Sequence, residues 1–217
     1  MDNFMDVVME NIALKGRFGV QAFVVYFLND QVKRLHFELM EEYKDTPFYK
    51  HRSKQLLNQI GHEIQVVMNS LNRTASNRSY EVADRLILLE EAYLPVIDTV
   101  LDNAKLFFAE KGFSPAEQEF LRKVYGLFLL SRTSSTMLSR IQNLDGLAVP
   151  RLVVMKGDSL TKAYQYCSQL LDHWMGHKQL EELKVGTEAL NQSICALSRK
   201  LLDFEVMCEL LTKEIDC

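Results

Sequence analysis

An all-α fold, an elongated bundle of six or seven helices, is what this sequence predicts, and three observations predict it. Gly (9) and Pro (4) are scarce among the 217 residues, too few for the many tight turns of an all-β chain. Apolar residues recur at three- and four-residue steps along most of the length. From Leu180 to Ile215 that spacing alternates three and four without a slip, the signature of a long heptad-patterned helix.

The elements follow in order. Asp2 caps a first helix to about Leu14, with Met5, Val8, Met9 and Ile12 on one face. Gly16 and Gly19 bracket a break or a kink, and a second helix covers about 20–44. Its first half is apolar nearly all round, which implies burial on more than one side. Asp45-Thr46-Pro47 ends it, with Thr46 as the next N-cap and Pro47 at the first helical position. A third helix over about 47–71 places Leu56, Ile60, Ile64, Val67 and Leu71 on one stripe. The polar run 72–79 reads as a loop, and it is where a single domain 1–217 would divide into 1–79 and 80–217.

A fourth helix, about 80–111, holds Pro95 inside it as a kink and is closed by Gly112. Ser114-Pro115-Ala116-Glu117 is a capping box that starts a fifth helix reaching about Asn143, with an unusual Ser/Thr run at 131–136 that would bend it. Leu152–Met155 reads as buried loop or a helical turn, and Asp158-Ser159 as the cap of a helix to about Met175. In the final helix a second apolar stripe, Leu202, Val206 and Leu210, lies on a different face from the heptad seam. A helix apolar on two sides is wedged between neighbours.

Composition narrows the chemistry. Hydrophobic residues at 47% and charged residues at 25% are ordinary globular values, and a net charge of -4 lacks the basic excess of a nucleic-acid binder. Cys167, Cys195, Cys208 and Cys217 form no CxxC pair, which suits free thiols in a reducing compartment. The acidic start Met1-Asp2-Asn3-Phe4 is unlike a signal peptide, so the glycosylation matches at Asn72, Asn77 and Asn191 read as chance. The apolar stretch Val20–Leu28 is too short to span a bilayer. The expected location is the cytoplasm, or a particle assembled there.

His173, His177 and Glu181 stand four residues apart, a spacing that brings two imidazoles and a carboxylate to one helical face and can hold a zinc-like ion. A solvated polar face explains the same residues, and Gly176 between them threatens the alignment. No di-iron, nucleophile-elbow or phosphate-loop motif occurs, and no cofactor is expected. Lys44, Lys50, His51, Arg52 and Lys54 form a basic cluster neutralised by Glu41, Glu42 and Asp45. Phe18, Phe23, Tyr26 and Phe27 read as core before they read as the lining of an apolar pocket.

The functional expectation is a non-enzymatic assembly subunit that acts through helix–helix contacts in a homo-oligomer or a larger particle, a viral one included. Its interaction residues are Leu190, Ile194, Leu197, Leu201, Phe204, Leu211 and Ile215. Two alternatives stand beside it. One is an all-α module that holds an apolar ligand among the second, fourth and fifth helices, edged by Ser131–Thr136. The other is a helical metalloenzyme built on His173, His177 and Glu181.

Overall fold

Long helices form wherever breakers are absent, and in this chain the breakers are few. The computed structural model describes the backbone over residues 16–75, 79–142 and 151–185, with positions 188, 192, 193 and 196 beyond. Five helices follow one another: α1 (Gly16–Tyr43), α2 (His51–Ala75), α3 (Ser79–Glu110), α4 (Pro115–Gln142) and α5 (Arg151–Met175). A further helical stretch, α6, covers 177–185. Among the described residues there is no strand, and the protein is all-α. The first expected helix, 2–14, and the seam beyond Leu183 lie outside the described residues.

Contacts fix the direction of each helix. Asn29 meets Ser134 and Tyr43 meets Phe120, so α1 and α4 are antiparallel. Trp174 at the end of α5 touches Phe120 at the start of α4 and Ser53 at the start of α2. Asp102 and Phe108 of α3 meet Arg122 and Tyr125 of α4. The five helices therefore run up and down in alternation, and α4 packs against α1, α3 and α5. The core along α4 is continuous: Phe120, Leu121, Val124, Tyr125, Leu127 and Phe128 are all buried, with Leu28 and Val32 of α1 and Leu170 and Leu171 of α5 among the other core residues.

The turn between α3 and α4 forms as its sequence dictates. Gly112 adopts φ 87, a left-handed conformation that costs glycine little. The Phe113 amide donates to the Phe108 carbonyl at 3.2 Å and the Gly112 amide to Ala109 at 3.0 Å, so the end of α3 is capped by a Schellman motif. In the next residues the Ser114 amide and hydroxyl both donate to Glu117 Oε2, at 2.8 and 2.7 Å. These bonds hold the Glu117 carboxyl below its ordinary range.

Four expectations need correction. The helix expected from about residue 20 is already formed at Gly16 and runs through Gly19. Two glycines cost about 1 kcal/mol each in a helix, which burial of Phe27, Leu28 and Val32 outweighs. The helix expected at Pro47 begins instead at His51. Thr46 serves a turn: its hydroxyl donates to the Tyr43 carbonyl at 2.7 Å and accepts from the Phe48 amide. The reason is Phe48, whose ring stacks on Phe120 and Trp174 at 5.0 and 5.4 Å and draws the segment across the end of the bundle.

The polar run 72–79 is helical through Ala75 and again from Ser79, because Asn, Arg and Thr are only mildly unfavourable in helices and no Gly or Pro lies between Gly61 and Pro95. Leu152–Met155 are helical, as the second of their two readings has it, but the helix expected to start at Asp158-Ser159 already begins at Arg151. Valine costs only tenths of a kcal/mol in a helix, and no breaker follows Pro150 until Gly157. Two other features behave differently from their local propensities. The helix containing Pro95 continues past it to Glu110, and α4 runs unbroken through its Ser/Thr segment.

Candidate interaction site

The seam that the sequence singles out begins on the bundle. α5 stops at Met175 because Gly176 takes φ 81, with its amide donating to the Asp172 carbonyl at 2.9 Å. After this bend α6 lies back over α4 and the end of α3. Leu180 and Leu183, the first two seam residues, are buried. The Tyr125 hydroxyl donates to the Leu183 carbonyl at 3.0 Å inside the core, and Lys111 pairs with Glu182 at 2.7 Å. Val185 is 74% exposed. The root of the seam is thus anchored on α4. Its expected interaction residues Leu190, Ile194, Leu197, Leu201, Phe204, Leu211 and Ile215 lie outside the described residues.

The same bend decides the geometry of the three candidate metal ligands. His173 sits before Gly176 on α5, and His177 and Glu181 sit after it on α6, so the four-residue register across one continuous helix is lost. His177 lies 3.7 Å from Asp172 and 4.0 Å from Glu181, while the His173 ring is set edge-on near Trp174. Glu181 is also paired with Lys184, whose hydrogen bond holds the carboxyl below its ordinary range. Among the described residues no three His, Cys, Asp or Glu side chains come together as a metal-ion donor set.

Two features that periodicity does not reveal shape the faces around α1. The first is a polar interior. Asn29 is 1% exposed and donates to the Ser134 hydroxyl at 2.7 Å. Ser135 meets Thr161 at 3.2 Å. The Ser131 and Thr133 hydroxyls are buried with no hydrogen-bond partner among the described residues. An unpaired buried hydroxyl is costly, and the Ser/Thr run was the only sequence signal for it.

The second is an open groove of about 450 Å³ between α1 and α2. Gly61 lets His36 approach α2 closely: a Cβ at Gly61 would lie 2.6 Å from His36 Cε1. The His36 Nε2 is 3.1 Å from the Leu57 carbonyl, and burial lowers the imidazole's pKa below 6.5. Met40 and Ile64 supply apolar surface, Phe37 is 66% exposed, and Lys33 and Arg34 supply positive charge. A mid-helix glycine was the one trace of this site in the sequence.

The remaining sequence candidates have structural roles. Phe27 is buried against Tyr93, as core; the side chains of Phe18, Phe23 and Tyr26 lie outside the described residues. In the basic cluster, Lys44 pairs with Glu41, Arg52 donates to Gln55 and Gln169, and Lys54 lies over the Tyr49 ring. No described helix is long and apolar enough to cross a membrane. No protein-family model matches this chain, and no curated protein or solved structure resembles it significantly.

Proposed function

We propose that this protein is a non-enzymatic assembly subunit that associates with further copies of itself through the helix beginning at α6. One observation carries the reading. The heptad seam starts as packed core, with Leu180 and Leu183 buried and the backbone tied to Tyr125, and the same spacing continues in sequence through Leu190, Ile194, Leu197, Leu201, Phe204, Leu211 and Ile215. In the sequence the seam residues beyond Leu183 call for one neighbour, and the second stripe at Leu202, Val206 and Leu210 calls for another. A homo-oligomer or a larger particle supplies both.

Sedimentation equilibrium of the full chain tests this. The expected result is a concentration-dependent oligomer that Leu197→Asp together with Leu201→Asp converts to a monomer of unchanged fold. A compact monomer over the whole accessible concentration range would overturn it.

A second reading, an all-α module holding a small ligand beside Ser131–Thr136, draws on the unpartnered Ser131 and Thr133 hydroxyls. Such a ligand would raise the melting temperature of the protein and lose that effect in the Ser131→Ala, Thr133→Val double variant. A screen of apolar ligands bearing a hydrogen-bonding group that leaves the melting temperature unmoved counts against it.

A further inference from the structure

We propose that the groove between α1 and α2 receives the acidic C-terminal segment, residues 201–217, of a second copy of this chain. The inference rests on the self-association proposed above and names the surface that receives the segment. Phe37 projects at the groove with 66% of its surface exposed, beside half-buried Met40, and a large exposed aromatic of this kind marks an interaction surface. Asp30 is already paired with Arg34 at 2.7 Å. The groove therefore keeps a net positive charge, centred on Lys33.

Segment 201–217 is complementary in both respects. It carries Asp203, Glu205, Glu209, Glu214 and Asp216 against Lys213 alone, so the chain's whole net charge of -4 resides there and the remainder is neutral. The same segment holds Leu201, Phe204, Cys208 and Leu211 at the three- and four-residue steps by which anchors are seated in a groove. Phe204 is flanked directly by Asp203 and Glu205, an aromatic anchor with carboxylates to meet Lys33. Lengths agree too: Asp30 to Met40 covers about 15 Å of α1, which is about three turns of a docked helix. The 450 Å³ of space admits a few large side chains.

The test uses full-length chains in sedimentation velocity, with circular dichroism to verify folding. Lys33→Glu is expected to weaken self-association about tenfold or more, since a like charge then meets Asp203 and Glu205. Phe37→Ser is expected to weaken it as well, both variants keeping wild-type helix content. Asp203→Lys alone weakens it, and mixing Lys33→Glu chains with Asp203→Lys chains restores association, because the groove of one meets the segment of the other. If deleting 201–217 breaks the assembly while Lys33→Glu and Phe37→Ser leave it intact, the groove is overturned and self-association stands. If the mixture stays dissociated, docking between copies is overturned. A wild-type chain that never associates sinks both proposals.

Discussion

The two ends of the α1–α4–α5 interface are built from opposite materials. At one end buried Tyr43 and Phe120 and half-buried Phe48 and Trp174 form an aromatic cluster with neighbouring ring centroids 5.0–5.4 Å apart. Towards the other, Asn29, Ser131, Thr133 and Ser134 are all fully buried, and two of their hydroxyls find no partner among the described residues. The aromatic end gains stability from burial and ring geometry. The polar end spends part of that gain on desolvating groups that repay little. Stability in this bundle is thus concentrated where α1, α4 and α5 meet the turn 44–50, and the polar half is the part open to improvement.

Four measurements test this contrast. Phe120→Ala removes a ring that touches three other aromatics and should cost about 3–5 kcal/mol in denaturant unfolding. A loss under about 1 kcal/mol would mean that the aromatic end is not the stable one. Asn29→Ala leaves the Ser134 hydroxyl unpaired in the interior, and a smaller loss of about 1–3 kcal/mol is expected from the same titration.

Thr133→Val has the opposite sign. Replacing an unpartnered hydroxyl by a methyl should raise stability by about 1 kcal/mol, seen as a higher melting temperature; a lower one would reveal a partner for Thr133. The smallest effect is that of pH on His36. Its folded pKa lies below 6.5 because burial disfavours the charged ring, so the unfolded chain binds more protons in that window. Stability should therefore fall as pH drops from 6.5 towards the folded value, and His36→Gln should flatten this slope. Loss from Glu42 and Glu117, whose carboxyls lie below 4.5, follows only at lower pH.

Local chemistry was readable where it is self-contained. The capping box at Ser114–Glu117 and the glycine end at Gly112 involve residues within a few positions of one another, and both form as the residue types require. The stripe of Leu56, Ile60, Ile64 and Val67 likewise faces the core. The turn at 44–50 departs from the expected helix start because Pro47 favours a helix only when nothing pulls the chain elsewhere, and Phe48 does. The His173–His177–Glu181 spacing presumed a continuous helix that Gly176 interrupts.

Residue types and spacing alone point to the all-helical class, the apolar stripes and the paired caps of the turn at 112–117, because hydrogen bonds between near neighbours and periodic burial act within a single segment. The pairing of Asn29 with Ser134, the hold of Tyr125 on Leu183 and the close approach of His36 to Gly61 arise from packing between helices. Those contacts join residues far apart in the chain. Which ones form depends on how whole helix faces pack against one another, and the spacing within any one helix does not contain that information.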